Sequence, residues 1–496
     1  MTNLILALLL AAPAQFITYE QFGAKADGVT DDMPAIIAAH KAANEKGLPV
    51  RAQGTYFIAA KARTAVIRTD VDWTGAEFVI DDVGLDRIDK SLFEVESYEK
   101  PFEIEGVWSL RKGQKNLGVK LPCDALVMVE NANHPIYIRK GLNQDNGTPQ
   151  REALLVSKSG RIAADSPVMW DYEAVTSAKA WPVDRKRLTI RGGKFTTIAN
   201  QQESKYRYHA RGIDVRRSNV VVEGITHFVE GELDHGAPYR AFIYVSNAAD
   251  VEVRDCLLTP HKTYTTIGSA GKPVKMGSYD LGAVYCVNVR WVRCTQTRSI
   301  DDTAYWGLFA SNFCKDLRME DCTMSRFDAH MGVYGVTLRR CTFGHMGVRF
   351  VGMGKALLED CEIRYNSLVA LRGDYGSSWD GEITARRCTL KAPGYYKGVD
   401  LISGANNEDH DFGYVCHLPR KVVIDGLLID DSEISFERYG GPCVFATFGR
   451  KYGKPGPYPM VAQGSVKVKD VRTTSGRALA ICLRPELFEG YEVSGL

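Results

Sequence analysis

No stretch of the 496 residues approaches the ~20 consecutive apolar positions that a membrane-spanning helix requires. Neither charge sign is in excess: 62 Lys and Arg stand against 60 Asp and Glu, a net charge of +2, and no long block of like charge occurs. That balance removes the general electrostatic case for nucleic acid or an anionic membrane as partner, so any polyanion must be met by a local patch. Zinc-site spacing, a Walker phosphate loop and a dinucleotide fingerprint are all missing, and no organic cofactor is implied. Helical periodicity is absent from about residue 187 onward. With 45% hydrophobic residues, 25% charged and 46 Gly, the composition also excludes a disordered, collagenous or polytopic membrane chain. What remains is a globular protein long enough for a large core, and its function must be read from pattern.

The chain starts with Met1-Thr2-Asn3, then the apolar run Leu4 to Ala12 and the small-residue segment Ala12-Pro13-Ala14. This reads as a signal peptide over residues 1–14, although its first segment carries no Lys or Arg. The mature chain is expected to be exported, secreted or periplasmic, with no membrane span.

Twelve cysteines would suggest disulfides in an exported protein, but six share one context. Cys256, Cys294, Cys322, Cys341, Cys361 and Cys388 each follow Asp or Arg and a short β-like segment, such as Val336-Thr337-Leu338-Arg339 before Arg340-Cys341. Recurrence every 19 to 38 residues marks a solenoid, whose units bury their apolar faces only by stacking. Cysteine, small and apolar, then forms a ladder of reduced thiols inside the stack. Short β-like runs with Gly and Asn at corners make this a parallel β-solenoid.

The opening carries a second signal. Asp31 or Asp32 can cap a helix with Pro34 in its first turn, Ile36, Ile37, Ala39 and Ala43 give it an apolar stripe, and Gly47 ends it before Tyr56-Phe57-Ile58. Tyr19-Glu20-Gln21-Phe22-Gly23-Ala24-Lys25-Ala26-Asp27-Gly28-Val29-Thr30-Asp31-Asp32 resembles the opening motif of the pectate-lyase-like superfamily. The resemblance covers residues 19–58 and implies a right-handed parallel β-helix with an N-terminal capping helix. It does not choose among that superfamily's lyases, hydrolases, epimerases, esterases and phage tailspikes. Residues 59–186 fit the repeat poorly and are expected to form an inserted β-rich subdomain. The cap and first strands then occupy 15–58, and the regular helix with its catalytic groove occupies 187–496.

Candidate site residues come from a repeated pattern of polar, apolar, Gly, apolar and variable positions. Asp280-Leu281-Gly282-Ala283-Val284, Tyr305-Trp306-Gly307-Leu308-Phe309, His330-Met331-Gly332-Val333-Tyr334 and His345-Met346-Gly347-Val348-Arg349 all fit. Strand alternation would stack Asp280, Tyr305, His330 and His345 outward in a column, put Trp306 inside, and leave a glycine stripe open to a ligand. Asp328 shares the parity of His330. The last step, from Gly332 to Gly347, is short for one coil, so His345 and Arg349 could sit at a corner.

A lyase acting on a uronate polymer must take the proton alpha to a carboxylate, stabilise the resulting charge and protonate the leaving oxygen. His330, Tyr305, Asp328 and Arg349 are the expected catalytic set. Asp280, Asp302, Tyr334, His345, Arg372 and Asp374 are the expected substrate contacts. Phe327-Asp328-Ala329-His330 loosely resembles the Phe-Asp-Pro-His of mannuronan C5-epimerases, which begin with the same proton abstraction, but Ala329 replaces the Pro and Ser325 the catalytic Tyr. Hydrolysis by paired Asp carboxylates is the competing reaction. Gly344-His345-Met346-Gly347 distantly resembles the Gly-His-Gly of polygalacturonases, whose other signatures are missing, and Asp301-Asp302 reads first as a turn. A non-catalytic, tailspike-like carbohydrate-binding solenoid is the third alternative. Calcium is left open: His410 with Glu408, Asp409 and Asp411 matches no established metal motif and reads as a solvated loop.

Overall fold

The computed structural model describes residues 16–85, 89–142, 145–202, 208–237, 239–268, 270–307, 309–437, 440–451 and 454–496. The expected signal peptide, residues 1–14, lies outside the described residues. Among them, no helix is long and apolar enough to cross a membrane.

Parallel strands wind around one axis from Asp27 to Ser494 in a right-handed parallel β-helix, as the opening motif implied. Its N-terminal end is closed by helix α1, Met33–Lys46, with Pro34 in the first turn and Gly47 in the left-handed conformation that ends it. Asp32 precedes the helix without capping it; its carboxylate instead accepts from the Lys25 and Ala26 amides at 2.7 and 3.2 Å, tying the preceding loop down. Ile36, Ala39 and Ala43 are buried beneath α1, and so is His40. There Trp73 Nε1 donates to Tyr19 Oη at 2.7 Å, and that hydroxyl donates onward to His40 Nε2 at 2.9 Å.

Each coil has three strands. The coil at Leu281–Val284 continues through Val287–Val292 and Thr295–Gln296 before a loop leads to Phe309–Asn312. In this part of the solenoid each strand pairs parallel with its counterpart in the next coil: Leu281 with Phe309, Val289 with Leu317, Thr295 with Thr323. Alternation puts one side of each strand into a shared core, where like residues stack, as with Phe309 and Phe327 (centroids 4.7 Å, interplanar 11°).

The six-cysteine repeat marks the corner between the second and third strands. Asp255, Arg293, Asp321, Arg340, Asp360 and Arg387 turn it with φ between 49° and 55°. The next residue in each coil is a buried cysteine whose thiol donates to the carbonyl two residues earlier, at 3.2 Å from Cys341 to Arg339 and 3.3 Å from Cys361 to Glu359. All twelve cysteines are free. The Asp and Arg side chains alternate up the outside and pair, as Arg293 with Asp255 at 2.6 Å and Arg340 with Asp321 at 2.7 Å.

The antiparallel layer is narrower than residues 59–186. Ala65–Ile67, Val71–Asp81 and Phe93–Val95 pair parallel with other coils and belong to the solenoid. Phe102–Glu103, Ala125–Ile136, Thr148–Val156 and Ser177–Pro182 form a separate antiparallel sheet with its own core around Leu110, Val127, Leu154 and Tyr172. The charged segment 111–115 is one of its loops. The layer docks on the corner after the first strand of each coil, through Tyr137, Phe313, Val351 and Tyr375 and through a buried ion pair between Lys315 and Glu152.

Candidate active site

The first strands of successive coils form the floor of a cleft of about 480 Å³. Its outward column is set by register: Tyr244 beside Gly282, Gly282 beside Ala310, and Asp328 beside Arg349. A Cβ on Gly282 would lie 2.8 Å from the Tyr244 ring, so glycine keeps this part of the floor open. Phe327 and Ala329 turn into the core, which leaves Arg326, Asp328 and His330 on the opposite face.

Asp328 is completely buried at the centre of the site. Its Oδ1 accepts from Arg372 Nη1 at 2.8 Å. Its Oδ2 accepts from His330 Nε2 at 2.7 Å and from the Tyr279 hydroxyl at 3.2 Å, and it is ion-paired with Arg326. Arg372 also forks onto Asp374 at 2.9 and 3.2 Å, and Asp374 takes a second pair from Arg139 at 2.9 Å. Asp374 is thereby held below the ordinary carboxylate range by Arg372 and Arg139, although burial opposes this.

His330 is held well below its usual pKa, first by burial and then by the neighbouring Arg372 and Arg326. The imidazole is therefore neutral at pH 7. A carboxylate can only accept, so the single ring proton lies on Nε2, facing Asp328, and Nδ1 carries a lone pair. This is the orienting role a buried Asp plays for a catalytic His. Around the dyad, Arg139, Arg240, Lys275, Arg326, Arg349 and Arg372 line the cleft, and Asp328 is the one carboxylate among its described lining residues. Burial lowers the pKa of Arg326 to about 9, leaving it charged at neutral pH, and its guanidinium lies over the rings of Tyr279 and Trp306, 5.2 Å from each. Arg349 is oriented by donating to the Tyr365 hydroxyl at 2.8 Å and to the Met346 carbonyl at 3.2 Å.

Of the ten residues singled out from sequence, the structure brings His330, Asp328, Arg349 and Arg372 together in the cleft, with Asp374 behind Arg372. It places the other five elsewhere. Tyr305 is buried in the loop between the third and first strands; its carbonyl accepts from His345 Nε2 at 2.7 Å, so these two stabilise that loop. Asp302 makes a turn there, accepting from the Ala304 amide at 2.9 Å. Tyr334 lies past the corner, against Gly354 on the second strand. Asp280 is fully buried and bonded to His227 Nδ1 at 3.2 Å.

The glycine alignment fails for a physical reason. The partner of Gly282 is Ala310, whereas Gly307 precedes the strand. Gly332 has φ +60° and is pressed against Phe313, where a Cβ would come within 2.5 Å, so it serves a corner and opens no stripe. Trp306, expected inside, lines the cleft. Arg326 is legible in hindsight from the alternation 326, 328, 330, but Tyr279 and Arg139 carry no sequence signal, because loop and insertion deliver them.

The calcium loop is engaged in other ways: Lys140 pairs with Asp409, and His410 Nε2 donates to the Ile138 carbonyl at 3.1 Å. Among the described residues, no cluster of three or more His, Cys, Asp and Glu could hold a metal ion.

No protein-family model matches the chain, and no curated protein matches it. Solved structures do. The tailspike protein gp49 from Pseudomonas phage LKA1 aligns over 96% of this chain and 84% of its own, with a TM-score of 0.54 at 14% identity. The Pseudomonas phage phi297 tailspike gp61 aligns over 94% and 82%, with a TM-score of 0.50 at 13% identity. The gp54 tailspike of Acinetobacter baumannii bacteriophage AP22, solved in complex with A. baumannii capsular saccharide, aligns over 96% and 79%, with a TM-score of 0.50 at 10% identity. At such identities the likeness is one of fold.

Proposed function

We propose that the protein is a carbohydrate-active enzyme that cleaves a uronate-containing polysaccharide by β-elimination in the arginine-lined cleft. The observation that carries this reading is a neutral, Asp-oriented His330 surrounded by cationic side chains, in a cleft whose described lining holds no carboxylate besides Asp328. Hydrolysis by paired carboxylates would need a partner for Asp328 across the scissile bond, and every oxygen of Asp328 is already committed to Arg, His and Tyr donors. The capsular saccharide on the AP22 tailspike is consistent with a sugar polymer as ligand for this fold.

In the proposed reaction Arg349, with Arg326 and Arg372, neutralises the uronate carboxylate and the negative charge that grows on it. His330 Nδ1 takes the proton from the carbon alpha to that carboxylate. The C–O bond to the next sugar breaks as the new C=C bond forms, and the Tyr279 hydroxyl turns from Asp328 to give its proton to the departing oxygen. The Tyr279 hydroxyl and His330 Nε2 share Asp328 Oδ2, and their rings meet edge-on with centroids 6.4 Å apart, so acid and base act from the same side of the bond between sugars.

The test is incubation with a panel of uronate-containing and neutral polysaccharides, following new reducing ends together with the ultraviolet absorbance of an unsaturated uronate. Both signals rising, and both lost in His330→Gln, is the expected result. Reducing ends without absorbance would replace elimination by hydrolysis. Binding without either signal would replace the enzyme by a tailspike-like binding protein.

A further inference from the structure

A second, larger cleft of about 910 Å³ opens between the antiparallel layer and the solenoid, within the roughly 300–1,000 Å³ typical of small-molecule sites. Trp170 and Tyr137 of the layer form one wall, and Tyr414, His417 and Tyr458 of the solenoid form the other. The aromatic groups fix one another: Trp170 meets Tyr414 edge-on with centroids 5.6 Å apart, and Tyr137 lies 4.7 Å from Tyr414. Tyr458 is 47% exposed and offers its ring to solvent.

The charge of this cleft is opposite to that of its neighbour. Asp171, Asp380 and Asp411 line it with Lys112 as the one Lys or Arg among the described lining residues. Lys112 is already paired with Asp380 at 2.9 Å, and Arg420 holds the other oxygen of that carboxylate at 2.5 Å. His417 is uncharged at neutral pH because burial lowers its pKa, and its Nδ1 has no hydrogen-bond partner in the protein. A polyanion gains nothing here. A neutral sugar offers what the walls want: apolar C–H faces for aromatic rings, and hydroxyls for the Asp171, Asp380 and Asp411 carboxylates.

We propose that this cleft is a second carbohydrate site, which takes neutral sugar units. It does not rest on the reaction assigned to the arginine cleft. The two adjoin along the antiparallel layer, since Tyr137 lines one and Arg139 the other. One polymer with charged and neutral units could therefore occupy both.

Binding of cellotetraose, maltotetraose and chitotetraose to the full chain, followed by calorimetry and by tryptophan emission, tests this. At least one tetrasaccharide is expected to bind with a submillimolar dissociation constant and to change the emission. Tyr458→Ala, at an exposed ring that removes no core packing, is expected to weaken it about tenfold or more, and Trp170→Ala to remove both binding and emission change. Arg372→Ala, in the other cleft, is expected to leave it intact while abolishing cleavage of uronate polymers. The proposal is overturned if none of the three binds, if Tyr458→Ala binds as tightly as the wild type, or if Arg372→Ala removes the binding. Loss of elimination activity alone would bear on the arginine cleft and not on this one.

Discussion

Asp328 accepts four donors and is the residue on which the cleft is organised. His330→Gln should lower kcat/KM on the cleaved polymer by about 10²–10⁴-fold with the circular dichroism unchanged, as removal of a general base does. The pH profile carries a sharper test. In the proposed reaction His330 works in its neutral form, and its pKa in the fold is depressed, so activity should persist as pH falls through 6.5 and fail only well below it. Replacing Arg372 by Gln removes a cation that holds this pKa down, so the acid limb of kcat/KM should move up toward 6.5. An acid limb that stayed put would mean that Arg372 does not act on His330. His40 gives the corresponding stability effect. Burial lowers its pKa to about 3, so the unfolded chain binds the extra proton first as pH falls below about 6.5, and stability is lost from there down toward pH 3. His40→Gln can still accept from Tyr19 but does not titrate. Its denaturant midpoint should change less between pH 7 and pH 4 than that of the wild type.

At the scale of the element, the corner beside each cysteine sets what a coil requires. Asp321 turns the chain at φ 55°, a region that costs a non-glycine residue about 1–3 kcal/mol and that a β-branched residue rarely enters. Asp321→Val should therefore lower the thermal midpoint clearly below that of Asp321→Gly, even though both variants lose the pair with Arg340. This corner was legible in the sequence, because Asp or Arg followed by Cys recurs on a core position. The first strand of each coil was not. The loop leading into it varies in length, so patterns such as Tyr305-Trp306-Gly307 resemble strand sequence while lying outside the ladder. Register is set by backbone pairing with the coil below, and that pairing leaves no local mark. Arg349, whose spacing looked too short for a full turn, pairs directly with Asp328 for the same reason.

Across the whole molecule, the solenoid and its antiparallel layer are locked by Lys315, whose ammonium is buried against Glu152 and donates to the Pro167 carbonyl at 2.5 Å. Glu152 in turn accepts from the Met169 amide at 2.9 Å, so the pair also sets the path of the chain into Trp170. Lys315→Ala would strand a buried carboxylate and should cost about 3–5 kcal/mol, read as a lowered unfolding midpoint and faster proteolytic release of the layer. Lys315→Met with Glu152→Gln, which leaves no buried charge, should recover much of that loss. Such long-range joins explain what sequence reading could not reach: Arg139 and Arg372 lie 233 positions apart in numbering, yet both hold Asp374.

The outer corner carries one more consequence, for how such a chain can grow or shrink. Its charges alternate strictly, Asp255, Arg293, Asp321, Arg340, Asp360, Arg387. Removing a single coil by recombination would set Asp on Asp or Arg on Arg, whereas removing two neighbouring coils would restore every pair. Along this stretch, changes of length in steps of two coils are the ones that the edge of the solenoid tolerates.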